Sequence, residues 1–482
     1  MHKLIEIIYN IVWSELLIIL CLLSGLYYSC KYKFPQITLL SDMINLLFQK
    51  DSKTSGISSF QAFTLAISGR IGTGNIAGVA TAIAMGGPGA LFWMWIIAFL
   101  GSSSAIVEAT LGQLYKTKDR NHYLGGPAYY ISRGLNSKKF AILFSLVTIV
   151  STGFLLPSVQ SNSIVAANTV TFGISSPVIG VFLVSLLAII ILGGVKRIGK
   201  FTEIIVPFMA VAYIIMALVI IVLNIQKIPD VFSLIVRSGL STHSLYAGII
   251  GSAIAWGVKR GIYSNEAGQG TAPHAAAAAE VSHPIKQGLV QGFSVYIDTL
   301  FVCTATGLMI LFTNQYNVLD SNGGYLTRHI DNVEIGPAYT QLAIATHFPK
   351  IGSEFVAISL AFFAFTTILA YYYIAETNLK FLFNKYRWTK YILQVILLLS
   401  VYIGSVSSAD IAWKLGDIGV GLMAWINLIA LYFLRNTFTI LFNDYKTQKK
   451  KKLNPVYVNT IHNINNVECW RNENIKDDKE NY

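Results

Sequence analysis

Long apolar segments, separated by short polar stretches, run through almost the whole chain. A helix that crosses a membrane needs about 20 mostly apolar residues, and by that measure the pattern predicts about eleven spanning helices, numbered here as spans 1 to 11. They lie at about 13–30, 57–85, 88–115, 138–166, 177–195, 200–225, 246–280, 284–313, 351–380, 388–407 and 411–434. The pattern therefore indicates an all-α polytopic membrane protein.

Glycines and polar residues interrupt two of these spans near the middle. Span 2 carries S-G-R-I-G-T-G-N-I-A-G over 68–78, where each of four glycines costs ~1 kcal/mol relative to alanine in a helix. Span 7 carries W-G-V-K-R-G-I-Y-S-N-E-A-G-Q-G-T-A-P over 256–273. Unwound backbone inside a bilayer is tolerated only where it is buried in protein or lines a wet cavity. Two broken helices therefore favour a secondary transporter with its ion and solute site at the breaks.

The spacing of the two breaks predicts an internal repeat. Without span 1, the chain divides into spans 2–6 and spans 7–11, and each group begins with a broken helix. Because five is an odd number, the second group crosses the membrane in the opposite sense to the first, as in an inverted repeat. The predicted divisions are 1–56 (a spanning helix and a short amphipathic interfacial helix at Leu39–Phe48), 57–226 (first repeat), 227–434 (second repeat) and 435–482 (a polar, mobile tail).

Composition supports the membrane assignment and removes one class of partner. Only 12% of the residues are charged, about half the fraction of a soluble protein, and 54% are hydrophobic. In a soluble chain the net charge of +12 would suggest nucleic acid, but the basic residues lie mostly in every second loop and in the tail. Basic loops mark the cytoplasmic side of a membrane protein. The pattern predicts an outside N-terminus, a cytoplasmic C-terminus and no nucleic-acid partner.

The break in span 2 offers two kinds of ligand. Freed carbonyls of its first half can coordinate a monovalent cation, and N–H groups near 74–76 present the favourable end of a helix dipole to a carboxylate. The amide of Asn75 can serve either partner. Close packing of small residues at Gly74 and Gly78 is one alternative. A nucleotide-binding loop is disfavoured because no strand precedes the glycines and no Lys follows them.

The break in span 7 adds charged and aromatic residues. Lys259 and Arg260 fit snorkelling toward an interface as well as a role in the site. Glu266 is expected to pair with a basic residue such as Arg70 or Arg260. The backbone at 261–264, with Tyr263 closing over the ligand, is the expected substrate contact.

Polar side chains on spans 9 and 4 are candidates to complete the pocket. Thr366 and Thr367 either bond back to carbonyls one turn earlier or ligate a small hard cation. Tyr371 lies on the same helical face as Thr367. Gln160 and Asn162 fit interhelical hydrogen bonds as well as substrate contact.

The remaining acids inside spans leave the coupling ion partly open. Glu108, Glu203 and Asp298 are each a candidate functional group or one member of a structural pair. The break in span 2 itself contains no carboxylate, and its neutral oxygens favour Na+ over a proton.

Six stretches in spans 2 to 9 together carry a distinctive pattern. They are G-T-G-N-I-A-G-V-A-T-A-I with G-G-P-G-A-L-F-W-M-W (72–95), G-G-P-A-Y-Y-I (125–131), V-Q-S-N-S-I (159–164), K-R-G-I-Y-S-N-E-A-G-Q-G-T-A-P (259–273), H-P-I-K-Q-G-L-V-Q (283–291) and F-A-F-T-T-I-L (363–369). The chain thereby resembles the bacterial alanine or glycine:cation symporter family, also called the sodium:alanine symporters. The resemblance implies a leucine-transporter-like 5+5 inverted repeat preceded by one extra helix. It also implies Na+-driven uptake of small neutral amino acids such as alanine and glycine, within the lipid of the bacterial plasma (inner) membrane and without a cofactor.

The resemblance also implies individual site residues. Those for the amino acid are Thr73, Gly74, Asn75, Gln160, Tyr263, Ser264, Thr367 and Tyr371. Those for Na+ are the carbonyls of Ser68 and Ile71 and the hydroxyls of Thr366 and Thr367. Tyr263 stands where many members carry Phe, and Ala370-Tyr371 stands where Gly followed by Trp or Asn is common, so the pocket wall differs from theirs.

Three alternatives to a sodium symporter make different demands on the sequence. The closest is a proton-coupled amino-acid carrier of the same fold. An ion channel needs a ring of ligands that several identical subunits usually supply. An enzyme needs a nucleophile and a base, and the sequence contains neither H-E-x-x-H nor G-x-S-x-G. A carrier that is not an enzyme fits the sequence best.

Overall fold

A computed structural model of the chain describes residues 2–49, 56–119, 122–193, 195–243, 245–320, 323–386 and 388–470. The end of the predicted tail, 471–482, and the junction 50–55 before span 2 lie outside these ranges. In the described part, eight helices are long and apolar enough to cross a membrane. The protein is therefore a helical, multi-pass membrane protein.

The helices without a break follow the predicted spans closely. The ends differ from the predicted ones by a few residues, as expected where end residues are not strongly apolar. The bounds are Glu15–Lys31 (span 1), Gly89–Leu114 (span 3), Lys138–Val150 and Leu156–Phe172 joined by a π-helical turn Ser151–Leu155 (span 4), Ser176–Ile191 (span 5), Val195–Leu223 (span 6), Pro284–Val295 and Thr304–Thr313 joined by π-helical Tyr296–Cys303 (span 8), Gly352–Phe383 (span 9), Thr389–Val406 (span 10) and Ala409–Phe433 (span 11).

Spans 2 and 7 are each interrupted inside the predicted stretches. Span 2 begins with a capping box between Ser58 and Gln61, runs as Ser59–Arg70, and resumes as π-helical Gly74–Gly78 and α-helical Val79–Gly86. Span 7 runs from a short 3-10 turn (Ala247–Ile249) through Ile250–Asn265 and resumes at Ala272–Ala278. Its break contains positive φ angles at Glu266, Gly268 and Gly270 (56°, 82° and 84°), of which the two glycines are the residues that adopt them without strain.

Short elements fill the connections. The helices are His2–Val12, Pro35–Thr38, Leu40–Phe48, Pro127–Gly134, Ile225–Lys227 (3-10), Ile228–Gly239, Pro337–Ala345, Arg435–Lys450 and Asn459–His462. Two antiparallel hairpins pair Thr117–Asp119 with His122–Leu124 and Asn317–Leu319 with Tyr325–Arg328. An isolated parallel bridge joins Ile57 to Ala279, where span 2 begins and span 7 ends.

The two broken spans occupy the centre of the bundle. Span 3 packs against span 8 and the first half of span 7, span 4 packs against spans 9 and 10, and both halves of span 2 lie between these groups. Spans 5, 6 and 10 instead expose large apolar side chains, such as Phe208 on span 6 at 74% exposure. Such faces suit lipid rather than water, so the polar residues of the breaks lie in the interior.

The prediction of a mobile tail is wrong for its described part. Helix Arg435–Lys450 continues into a segment that folds back against the ends of the spans. Tyr457 and Trp470 are buried, at 2% and 9% exposure. The polar composition of the tail concealed these two aromatic anchors, each of which buries a large apolar surface.

Candidate functional site

The break in span 2 frees two carbonyl groups. In a regular helix the N–H of Gly72 would donate to Ser68 and the N–H of Asn75 to Ile71. Instead, Gly72 N–H donates to the Asn75 side-chain oxygen (2.8 Å) and Asn75 N–H donates to the Gly72 carbonyl (3.2 Å). The Asn75 side chain thus caps the break, and the carbonyls of Ser68 and Ile71 are left for another partner.

Those carbonyls converge on a hydroxyl of span 9. Thr367 Oγ1 lies 2.9 Å from Ser68 O, 3.3 Å from Ile71 O and 3.0 Å from Phe363 O. A hydroxyl has one proton and can satisfy only one of these acceptors. Four oxygens without enough donors form a cluster that suits a small hard cation.

Thr366 is less closely joined to this cluster than predicted. Its hydroxyl donates back to Phe363 O (2.9 Å) and lies 3.1 Å from Phe362 O, and no hydrogen bond in the described chain links it to Ser68 or Ile71. Phe363 O, which sequence reasoning missed, is shared by both threonines. The sequence did offer a signal for this contact, because Phe363 lies three residues before Thr366 and four before Thr367, the spacing at which a threonine hydroxyl bonds back to a helix carbonyl.

A second polar group lies next to the oxygen cluster. The N–H of Thr73 donates to Gln160 Oε1 (3.0 Å), and the Tyr263 hydroxyl lies beside Gln160 without a well-formed hydrogen bond. The hydroxyl of Thr73 is also buried without a partner in the described structure. A buried polar group left unpaired costs about 1–3 kcal/mol, so these donors are suited to an exogenous polar ligand.

Gly72 separates the two groups. A Cβ atom there would lie 2.5 Å from Thr367 Oγ1 and 2.9 Å from Gln160 Oε1. Gly74 plays a similar part between the broken spans, because its added Cβ would lie 3.1 Å from Ser264 Cα and 3.2 Å from Tyr263. The absence of side chains thus lets both breaks and span 9 approach one another.

Asn75 and Ser264 converge on an acid of span 8. Asn75 Nδ2 donates to Asp298 Oδ1 (2.7 Å), and Ser264 Oγ lies 2.9 Å and 3.1 Å from the two carboxylate oxygens. Thr299 also donates to Asp298 (2.7 Å), which is fully buried. Asp298 therefore ties the two breaks together, and its position inside a predicted span was the only sequence signal for it.

Comparison with known proteins identifies the family of the chain. A model of the sodium:alanine symporter family matches residues 1–459. The chain belongs to the sodium:alanine symporter family. It is 52% identical to YrbD of Bacillus subtilis over 96% of both chains. It is 47% identical to the sodium/proton-dependent alanine carrier protein of Bacillus sp. strain PS3, over 89% of this chain and 97% of the relative. It is 41% identical to GlnT of Bacillus subtilis, whose name reads "probable sodium/glutamine symporter", over 100% of this chain and 98% of the relative. The protein is accordingly a membrane carrier and not an enzyme.

In this symporter, Tyr371 does not bond to the Thr73 and Gln160 group. It is buried one turn beyond Thr367, and its hydroxyl faces Glu266 and Tyr263 from span 9. The structure thus brings Tyr371 near the second break, on the side of Glu266.

The predicted pairing of Glu266 is wrong for Arg260 and lacks a direct ion pair with Arg70. Arg260 instead bonds to Asp417 (2.5 Å), which lies on the adjacent span 11. Arg70 donates to Gln291 O (3.0 Å) and to a serine of span 8. Glu266 accepts from Thr271 (2.8 Å), because its backbone lies in the break and turns its side chain toward the second half of span 7.

The second break is held open by span 3 and span 11. Glu108 accepts from the N–H groups of Gly268 (3.3 Å) and Gly270 (3.1 Å). Asn427 donates to Glu108 (2.8 Å) and to Gly268 O (2.9 Å). These bonds replace the helical hydrogen bonds that the unwound segment has lost.

One side of the site is closed by a layer around Arg260, hereafter the Arg260 layer. Besides the ion pair with Asp417, the guanidinium lies 4.6 Å from the Trp413 ring, and that ring lies 5.1 Å from Tyr263. The N-terminal helix His2–Val12 and the residues after it border this layer. Trp13 donates to Asp417 O (2.7 Å), Trp425 of span 11 donates to the last carbonyl of the helix (3.0 Å), and Lys259 of span 7 donates to Tyr9 (2.5 Å).

The opposite side is closed where span 2 begins and span 7 ends. A cavity of about 10 Å³, room for one water, lies between Gly69, Glu266 and Ala370. Beyond it, Ile57 N–H donates to Ala278 O (3.0 Å) and Glu280 N–H donates to Ile57 O (3.0 Å). Both approaches to the site are therefore closed in this structure.

Proposed function

We propose that the protein couples the entry of one small neutral amino acid, alanine or glycine, to the entry of Na+ through the two breaks. The observation that carries this proposal is that three carbonyls and one hydroxyl converge directly beside two buried hydroxyls, of Thr73 and Tyr263, that have no described hydrogen-bond partner. Na+ is coordinated by oxygen atoms, whereas a zwitterionic amino acid needs both hydrogen-bond donors and acceptors, and this place offers both kinds of group.

The proposed roles follow from the polarity of each group. Ser68 and Ile71 carbonyls with the Thr367 hydroxyl bind Na+, with Phe363 O and the Thr366 hydroxyl at the edge of the cluster.

For the amino acid, the hydroxyls of Thr73 and Tyr263 donate to the carboxylate, and Gln160 Oε1 accepts from the ammonium group. Asn75 and Ser264 hold the breaks in place through Asp298, Gly74 provides the close approach, and Tyr371 closes the wall on the Glu266 side.

Coupling in this proposal is reciprocal. Na+ draws the Ser68 and Ile71 carbonyls together and so orders the backbone that carries Thr73, which lowers the cost of ordering it for the amino acid. If Na+ raises the affinity for alanine by some factor, alanine raises the affinity for Na+ by the same factor.

The proposed architecture is a leucine-transporter-like 5+5 inverted repeat of spans 2–6 and 7–11, preceded by span 1. What supports it is the placement of a broken helix at the start of each group. In the plasma membrane, with the N-terminus outside, the Arg260 layer faces the exterior and the Ile57 end faces the cytoplasm. Alternate opening of these two ends then moves the substrates inward.

Proton coupling is the second candidate, because a relative is named for dependence on both sodium and proton. Asp298 and Glu266 are buried carboxyl groups next to the breaks that are capable of carrying a proton. The oxygen cluster on Thr367, by contrast, consists of three carbonyls and a hydroxyl and contains no titratable carboxyl group, so Na+ remains the primary ion.

The test is uptake of radiolabelled amino acids into proteoliposomes. An inward Na+ gradient is expected to drive alanine and glycine accumulation, and replacing Na+ by K+ or choline is expected to abolish it. A pH gradient applied without Na+ separates the two candidates. Uptake that follows the pH gradient alone would contradict sodium coupling, and glutamine in the same panel defines the limit on side-chain size.

A further inference from the structure

The segment 453–470, hereafter the strap, lies across the ends of spans 3, 7 and 8. The family match ends at residue 459, so the second half of the strap lies beyond it. Its first half is anchored beside the start of span 8, where Tyr457 N–H donates to Ser282 O (2.8 Å), Ser282 Oγ donates to Pro455 O (2.9 Å), and Lys286 donates to Asn454 (2.8 Å).

The second half is anchored beside the end of span 3. Trp470 Nε1 donates to Gln113 O (3.1 Å), and its ring lies 5.1 Å from the Lys116 ammonium. Glu468 accepts from Arg133 (2.8 Å) and from Thr117 (2.7 Å). The strap therefore combines a buried aromatic ring with a charged pair at its far end.

The two residues under Trp470 also hold the end of span 7. Gln113 donates through its side-chain amide to Ala279 O (2.8 Å) and to Ala276 O, and Lys116 donates to Ala279 O (2.9 Å). Ala279 is the residue bridged to Ile57 at the start of span 2. Burial lowers the pKa of Lys116 to about 8, and the nearby Cys469 and Glu280 oppose this shift.

We propose that the strap is an intramolecular clamp on the inner closure, and that it must leave Gln113 and Lys116 before the Ile57 and Ala279 ends separate. The occupant of this surface is the chain's own residues 453–470. Trp470 covers Gln113 and Lys116, which hold Ala279. Movement of the end of span 7 away from Ile57 therefore displaces the Trp470 ring. The predicted effect of the clamp on transport rests on the proposed function. Its predicted effect on the contact between Ile57 and Ala279 does not.

The decisive experiment measures the closure directly by cross-linking. Ile57→Cys and Ala279→Cys are placed together in a protein in which Cys30 and Cys469 are replaced by serine. Neighbouring strands lie about 5 Å apart, which is within reach of a disulfide. With the strap intact, the pair is expected to cross-link efficiently.

Trp470→Ala is expected to lower the cross-linking rate severalfold, because it removes the ring that covers Gln113 and Lys116 and so makes the closed state less populated. Glu468→Gln, a milder change, is expected to act in the same direction. The matched control is Ile461→Ala, which removes an apolar side chain from the same segment where it is 70% exposed. Equal rates in Trp470→Ala, Glu468→Gln and Ile461→Ala would overturn the clamp.

A second measurement follows the strap itself. Cys469 is half-buried with its thiol 3.4 Å from Lys116 O, and in a Cys30→Ser protein its reaction with a maleimide is expected to accelerate about tenfold in Trp470→Ala. Faster labelling with unchanged cross-linking would show a docked segment that does not restrain the closure, and would also overturn the clamp.

Uptake distinguishes this proposal from the proposed function. In proteoliposomes, Trp470→Ala is expected to raise the maximal rate of Na+-driven alanine uptake severalfold over Ile461→Ala. If the wild-type protein shows no Na+-driven uptake, the proposed function fails, while the cross-linking rates still decide whether the strap clamps the inner closure.

Discussion

At the scale of single residues, the site depends on where a side chain is missing. Gly72 leaves room for Thr367 Oγ1 on one side and Gln160 Oε1 on the other. Any larger residue would push span 9 or span 4 away from the break. The proposed cation cluster and the proposed amino-acid group are therefore adjacent, with only Gly72 between them.

Thr367→Val is expected to raise the Na+ concentration for half-maximal alanine uptake about tenfold, equivalent to ~1.4 kcal/mol. Valine keeps the shape of threonine but removes the oxygen at the centre of the three carbonyls. Uptake measured against Na+ at saturating alanine checks this.

Thr377→Val is the matched control for that change, because its hydroxyl lies on the same helix and its one described hydrogen bond is to Tyr373 O (2.9 Å), one turn earlier. An unchanged Na+ dependence in Thr367→Val would remove this hydroxyl from the ion site.

Sequence reasoning reached many of these residues but not all their partners. The freed carbonyls were predictable because four glycines in eleven residues cannot sustain a helix. The contact of Asn75 and Ser264 with Asp298 was not, since nothing in the order of residues specifies which span faces a break. The expected ion pair of Glu266 with Arg260 failed for the same reason, because Asp417 lies on a span far away in sequence.

At the scale of elements, each break is an unwound segment whose lost helical hydrogen bonds are replaced by bonds to side chains. Span 2 uses its own Asn75, whereas span 7 uses Glu108 of span 3 and Asn427 of span 11 in addition to its own Asn265. The second break is therefore the one whose shape depends on helix packing.

Glu108→Ala is expected to lower the free energy of unfolding by about 2–3 kcal/mol, because it leaves two buried N–H groups of the break unpaired. Glu108→Gln retains one acceptor and is expected to lose about half as much. Thermal unfolding in detergent measures both.

Glu203→Ala serves as the control, because that partly buried acid accepts only one described hydrogen bond, from Gln61 (3.1 Å). A loss in Glu203→Ala equal to that in Glu108→Ala would contradict the assigned role.

The helix Arg435–Lys450 is attached by a histidine that resists protonation. His283 Nδ1 accepts from Ile285 N–H (3.1 Å), and its Nε2 lies 3.2 Å from Asp444. Burial lowers the pKa of His283 below its ordinary 6.5, against the opposing effect of Asp444, while Lys286 and His462 lower it further. The unfolded chain therefore binds more protons below pH 6.5, and stability falls as the pH drops through that value.

His283→Asn is expected to flatten this pH dependence, since asparagine also caps a helix start but does not titrate. Unfolding temperatures between pH 7.5 and 5.5 provide the measurement. A slope in the variant as steep as that of the wild type would place the pH sensitivity elsewhere.

The positions of helices were largely readable from the sequence, whereas local irregularities were not. Runs of apolar residues locate a span within a few residues because the bilayer thickness sets its length. The π-helical turns Ser151–Leu155 and Tyr296–Cys303 follow from packing against other helices, and no residue pattern distinguishes them in the sequence. The docked strap was missed because two aromatic residues decide its position among many polar ones.

At the scale of the whole molecule, the site is closed by different chemistry at its two ends. The Arg260 layer uses a buried ion pair with aromatic rings, and the opposite end, at Ile57 and Ala279, uses backbone bonds and small residues, with the strap proposed to hold it. The inverted repeat and the membrane orientation stay predictions, because they concern the relation of the two halves to each other and to lipid.

Asp417→Ala is expected to lower the free energy of unfolding by about 3–5 kcal/mol, because it leaves the buried Arg260 guanidinium without its partner. The control on the same helix is Asp410→Ala, which removes an exposed pair with Lys414 (3.0 Å). That loss is expected to stay within about 1 kcal/mol.

Denaturation in detergent compares the two variants, and a double variant Arg260→Leu with Asp417→Leu is expected to recover part of the loss. Equal losses in the two single variants would argue against a buried pair.

The attachment of the N-terminal helix beside the Arg260 layer provides a way to observe the opening of that layer. Two described hydrogen bonds join the helix to span 11, through Trp13 and Trp425, whereas one joins it to span 7, from Lys259 to Tyr9, and the same ammonium also lies 5.4 Å from the Trp13 ring. When the layer separates, the helix keeps the larger set of bonds and is carried along with span 11. A fluorophore attached at the beginning of the chain would then shift relative to one on span 7 in each cycle, and would time the opening without occupying the pocket.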